Sequence, residues 1–93
     1  MPFFKRNWDQ TRGDEQAEWG TSTWYFETGS DMWATRQIEI YANGTVLHYD
    51  EEHSEDKYGG LAEAALDAQD FAPFEVTGSE FEEAWTAHKP INR

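Results

Sequence analysis

The chain has no cysteine, so it can form neither a disulfide framework nor a thiolate metal site. It also lacks any run of 18 apolar residues, and its first residues, MPFFKRNWDQ, lack the apolar stretch of a secretory signal. These absences set the expectation of a cytoplasmic protein with no membrane association. Cations are scarce: seven Lys and Arg stand against 19 Asp and Glu, a net charge of −12. A field of that sign repels phosphate backbones, which argues against nucleic-acid binding, and it attracts a basic protein partner. Solubility, or an acidic cytoplasm, would explain the same charge. Catalytic signatures are absent as well. No Gly-x-Ser-x-Gly elbow and no Gly-rich phosphate loop occurs, and no serine has an evident histidine and carboxylate setting.

Aromatic side chains are abundant. Five Trp, four Tyr and six Phe in 93 residues supply large apolar areas, about 150–250 Å² for each ring that is buried. That is enough for one core and one domain spanning residues 1–93.

The pattern alternates between strand and helix signals. Phe3–Asp9 reads as a strand, Thr11–Gly20 as a loop with room for a helical turn through DEQAE, and Ser22–Thr28 as a second strand. Gly29-Ser30-Asp31 supplies a turn. The clearest unit is Trp33–Asp50, WATRQIEIYANGTVLHYD, two strands closed at Asn43-Gly44. A two-residue type I′ turn there pairs Tyr41 with Val46, Ile40 with Leu47, Glu39 with His48 and Ile38 with Tyr49. That register gathers Ile38, Ile40, Leu47 and Tyr49 on one face with Trp24 and Phe26. Residues 50–60 read as a charged loop and Leu61–Ala68 as a short helix. Phe71–Val76 reads as an extended segment around Pro73. A final helix begins at Thr77, with capping-box spacing to Glu80, or at Ser79 with Glu82. It carries Phe81, Ala84, Trp85 and His88 as an apolar stripe and stops at Pro90, leaving 89–93 as a disordered tail. The sum is an α+β domain: an antiparallel sheet of about four strands with one or two helices packed on one face.

These motifs resemble a family of small uncharacterised bacterial domains. Its members show a tyrosine-glutamate strand, here Tyr25 and Glu27, and an Arg-x-Ile-Glu-Ile-Tyr strand, here Arg36, Ile38, Glu39, Ile40 and Tyr41. They also show an Asn-Gly or Asp-Gly turn, here Asn43-Gly44, and a Phe-Glu-x-x-Trp helix, here Phe81, Glu82 and Trp85. FKRNW at residues 4–8 resembles the family's first strand. The chain departs from the pattern in the acidic loop after Tyr49 and in the Ala-rich stretch 62–68, where members tend to carry a Pro-led segment. The resemblance implies an antiparallel sheet with helices on one face and transfers no catalytic residue. Some relatives look like immunity proteins that neutralise toxins.

Two places could carry function. In the expected register the sheet face away from the helices shows Tyr25, Glu27, Glu39, Tyr41, Val46 and His48. Two tyrosines among acids suit a basic, partly apolar protein partner, as an immunity or inhibitor protein would engage. An ordinary solvated sheet face is the plainer reading. The alternative is a metal-binding module or small enzyme using His48, Asp50, Glu52 and His53, of which 48, 50 and 52 share a side of an extended strand. A solvated acidic loop accounts for those residues too. The expectation is therefore a non-catalytic binding protein, with no cofactor and no metal site assigned.

Overall fold

The computed structural model describes residues 2–93. Four strands follow the alternation in the sequence: β1 (Phe3–Trp8), β2 (Ser22–Thr28), β3 (Ala34–Tyr41) and β4 (Val46–Asp50). They form one antiparallel sheet with a fifth strand, β7 (Glu75–Val76), in the order β4-β3-β2-β1-β7. The fold is α+β, as the pattern implies. Its principal helix, α2 (Gly78–Ala87), starts where the capping box predicts, with Thr77 Oγ1 accepting from the Glu80 amide at 3.1 Å.

The Asn-Gly hairpin closes differently from the two-residue turn expected. The Gly44 amide donates to the Tyr41 carbonyl at 2.9 Å, and the Tyr41 amide donates to the Thr45 carbonyl at 2.8 Å. The loop therefore has three residues, Ala42-Asn43-Gly44, with Gly44 alone in the left-handed region at φ 91°. Segment 17–21 holds it there: the Ala42 amide donates to Thr21 O and the Asn43 amide to Trp19 O. Lengthening the loop by one shifts the register by one. Ile40 now pairs with Val46, Glu39 with Leu47, Ile38 with His48 and Gln37 with Tyr49.

A one-residue shift moves every β4 side chain to the other face. The six residues expected to form one core face are divided. Ile38 and Ile40 lie with Tyr25, Val46 and His48 on the face covered by α2, whose Phe81 and Ala84 are buried against it. Trp24, Phe26, Leu47 and Tyr49 lie on the opposite face with Gln37, Glu39 and Tyr41.

That second face is also covered. Residues 61–68, expected as a helix, cross it as an irregular strap, and α1 (Ala68–Phe71) begins only after Asp67, whose side chain accepts from the Gln69 and Asp70 amides. Helix propensity is overridden because the strap's N–H groups bond outward to the fold. The Leu61 amide donates to Ser54 O, Ala62 to Gln37 Oε1 and Leu66 to Met32 O. Leu61, Ala62 and Leu66 pack with Phe4, Phe26 and Phe71.

The stretch 50–60, read as a loop, contains a small ladder of β5 (Glu55–Asp56) and β6 (Gly59–Gly60). The C-terminal tail is ordered, against the expectation of disorder. The Ile91 amide donates to Val46 O at 2.9 Å, Asn92 bonds both backbone groups of His48, and Arg93 reaches Asp50 at 2.6 Å. The tail thus covers the edge of β4, which would otherwise present unpaired backbone groups.

Candidate functional site

The six residues expected on an open face do not form one. Tyr25, Val46 and His48 are buried under α2, and Glu39 and Tyr41 are buried on the opposite face, where Arg12 reaches both and Trp19 packs on Tyr41. Glu27, half-buried, is held by Arg36 at 3.0 and 2.6 Å, and Arg36 also pairs with Glu82 on α2 while lying over Phe81 and Trp85. The arrangement clamps the helix to the sheet and holds the Glu27 carboxyl below its ordinary range.

The candidate metal residues do not converge either. His48 stacks on Trp85, with ring centroids 4.1 Å apart, and its Nε2 has no hydrogen-bond partner among the described residues. Burial, then the Arg93 charge, push this imidazole down to about 4. Asp50 accepts from the Glu52 and His53 amides and pairs with Arg93. His53 turns away to stack on Tyr49 and to contact Asp56 at 2.9 Å. Glu52 is exposed. No group of three or more potential metal ligands forms among the described residues. Asp56 is instead a structural hub. Burial alone would raise its carboxyl, but His53, Asn92, the Tyr58 amide and Tyr49 all donate to it and hold it at about 2.

The fold does bring a different set of residues together. On the strap side of the sheet lies a cleft of about 740 Å³. Its apolar surfaces come from Trp8, Trp24, Phe26, Tyr58, Leu66 and Phe71. Trp8 is 43% exposed and stands at the end of β1, tilted against Trp24 at 6.3 Å between ring centroids. Strand alternation places Trp8, Trp24, Phe26, Glu39 and Tyr41 on this one face.

Glu39 is the notable polar group in the cleft wall. Its side chain is almost fully enclosed, at 3% exposure for the residue. Tyr41 Oη donates to Oε1 at 2.5 Å and Gln37 Nε2 donates to Oε2 at 2.8 Å. Arg12, reaching in from the 9–16 loop, places Nη1 3.0 Å from Tyr41 Oη and 3.8 Å from Glu39 Oε1. Burial raises the Glu39 pKa above its ordinary value, although the donors from Tyr41 and Gln37 and the charge of Arg12 oppose it. Burial and the neighbouring Glu39 charge also raise Tyr41. A carboxyl so placed can hold a cation in an apolar setting or keep a proton that a surface carboxyl would lose.

The charge balance of the cleft is one-sided. Arg12 is its one cation, against carboxylates at Asp14, Glu39, Glu63 and Asp67. Arg12 is moreover already engaged by Asp14, Tyr41 and the Tyr58 carbonyl. A second cation stands at the edge of this wall, since Arg6, half-buried, lies over Trp8, Phe71 and Phe74, while Lys5 lies over Tyr25 on the other face of the sheet.

Of the residues expected to bind, Glu39 and Tyr41 belong to this cleft and the other four do not. Trp8 and Arg12 carry no binding role in the sequence reading, which assigns Trp24 and Phe26 to the core face and residues 61–68 to a helix. A signal was present in β3, where Gln37, Glu39 and Tyr41 alternate with two isoleucines. That spacing reads equally as a solvated face or as a polar wall facing another segment. Comparison with known families, curated proteins and solved structures finds no match to this chain.

Proposed function

We propose that this protein is a non-catalytic binding protein that takes a cationic side chain of a basic protein partner into the strap-side cleft, as an immunity or inhibitor protein would. The observation that carries this reading is an aromatic cleft whose carboxylates outnumber its single, internally engaged arginine. A guanidinium or ammonium entering it meets the ring of Trp24 and that of Trp8, which already carries Arg6, a contact that contributes about 0.5–2 kcal/mol, more when water is excluded. The carboxylates at Asp14, Glu63 and Asp67 steer it in, and that steering weakens as salt screens exposed charges. Glu39 offers a deeper negative charge beside the aromatic wall.

The test is titration with nona-arginine, followed by the indole and amide NMR signals. Shifts should centre on Trp8, Trp24 and the strap, weaken steeply with added salt, be absent with nona-glutamate and shrink in Trp8→Ala. Shifts confined to the α2 face, or no shifts at low salt, would overturn the reading.

A further inference from the structure

Trp8 is one of two exposed tryptophans among the described residues. The other, Trp33, is 47% exposed and stands at a second cleft of about 650 Å³. This one is lined by Gly29, Asp31, Trp33, Glu51, Glu55 and Glu63, among others, and has no Lys or Arg in its wall. The two clefts share Ala62 and Glu63, so the strap is their common wall. The first runs along β2 from Ser22 to Phe26 and the second begins at Gly29, just past Thr28, so the two exposed tryptophans stand at opposite ends of the strand, Trp8 beside Ser22 and Trp33 beside Gly29.

We infer that the two clefts form one bipartite groove for an extended segment of a basic protein, which places one cationic side chain beside Trp8 and a second beside Trp33. This rests on the reading that the Trp8 cleft holds a cation, and it adds the shape of the partner. Each end offers the same chemistry, an exposed indole with carboxylates around it, and Glu63 lies between them. A cation at either end is therefore never far from a carboxylate.

The separation sets the spacing. The seven residues of β2 separate the backbone positions of Trp8 and Trp33, and at roughly 3.3 Å per residue the strand's ends are about 20 Å apart. An extended partner covers that distance in about six residues. Because side chains alternate along an extended chain, residues i and i+6 point to the same side, whereas i and i+5 point to opposite sides. Both clefts are walled by the strap at Ala62 and Glu63, so the partner must present both cations on one side. The groove thus selects basic residues at i and i+6.

The experiment uses Gly/Ser peptides carrying one arginine, or two at i and i+2, i+5 or i+6, titrated into the full chain by NMR. The i,i+6 peptide should bind at least about tenfold more tightly than the single-arginine peptide, since its second contact is intramolecular. It should also outdo the i,i+5 peptide and shift the indoles of both Trp8 and Trp33. Trp33→Ala and the exposed-site variant Glu51→Lys should each remove that gain while leaving single-arginine binding at Trp8 unchanged. Equal affinity at all spacings, or a gain that survives both variants, overturns the bipartite groove and leaves the Trp8 cleft standing. A single-arginine peptide that fails to shift Trp8 at low salt, with the i,i+6 peptide equally silent, overturns both.

Discussion

The two faces of the sheet are covered by different kinds of chain, and their chemistry differs accordingly. On one side α2 satisfies most of its own backbone hydrogen bonds, so the sheet can meet it with Tyr25, Ile38 and Val46, and the seam closes tightly around Phe81. On the other side the strap has no internal ladder, and its amides need partners on the body of the domain. Gln37 supplies one, accepting from Ala62 while donating to the Gly60 carbonyl and to Glu39. Polar side chains are therefore required beneath the strap, and a face that must be polar in places does not seal completely. The helical face provides a closed core. The strapped face provides a cleft with a carboxyl in it.

Deleting the central ring of the closed face should produce the largest effect. Phe81 has no exposed surface and touches the rings of Phe3, Tyr25 and Trp85. Phe81→Ala should cost about 3–5 kcal/mol by urea denaturation, a large share of the stability of a domain this small. Leu66→Ala on the half-buried strap should cost under about 2 kcal/mol. Equal losses would break the contrast between a closed face and an open one.

A smaller effect on the same closed face should follow from pH. His48 is buried beside Trp85 and is held down to about 4, while an unfolded histidine titrates near 6.5. Between those values the unfolded chain binds the extra proton, so stability is complete above pH 6.5 and is lost as pH falls towards 4. The loss should be about 1–3 kcal/mol over that window, and it should be largely absent in His48→Gln. Asp56, held at about 2, contributes stability that disappears at lower pH, from about 4 down to 2. A transition centred near pH 3 in the parent protein, and unchanged by His48→Gln, would assign the acid sensitivity to Asp56 instead.

How far these faces were legible in the sequence depended on which signals were local. The alternation within β2 and within β3 and the Thr77 cap are set by neighbouring residues, and they read correctly. Which side of β2 meets which side of β3 is not local, and Trp24 and Phe26 share a face with Gln37 and Glu39 rather than with Ile38 and Ile40. The hairpin loop has the same Asn-Gly pair in a two-residue or a three-residue closure. The choice rests on Trp19 and Thr21, more than twenty residues upstream, whose carbonyls receive the Asn43 and Ala42 amides. That one unread contact exchanged the faces of Val46, Leu47, His48 and Tyr49. The strap failed for a related reason: LAEAALDA has good helix propensity, and nothing within it announces that Leu61, Ala62 and Leu66 bond to Ser54, Gln37 and Met32. Glu39 and Tyr41 were recognised as a pair worth attention, but their burial and the arrival of Arg12 depend on loops whose paths no local pattern reveals.

The sharpest separation of the two faces should come from a variant with the smallest effect on stability. Glu39→Gln removes the buried charge and leaves the volume nearly unchanged. Two consequences oppose each other. Losing an ionised group from a poorly hydrated site is favourable, whereas an amide cannot accept from both Tyr41 and Gln37 as the carboxylate does. The net change at pH 7 should lie within about 1 kcal/mol. The pH dependence carries the diagnostic sign. Because the folded state raises the Glu39 pKa, the native chain holds that proton more tightly than the unfolded chain does. Its contribution is present below the ordinary glutamate range and is lost as pH rises through the raised value. Glu39→Gln should remove that slope from the stability profile while leaving the His48 slope, which has the opposite sign, intact. Nona-arginine binding at the Trp8 cleft should fall at least about tenfold in the same variant, equivalent to 1.4 kcal/mol. A variant that keeps full affinity would show that the carboxyl serves the strap alone, and that the exposed acids supply all the attraction. A residue that is nearly neutral for folding yet needed for binding is the signature expected of the strapped face, and Phe81 is its opposite on the helical one.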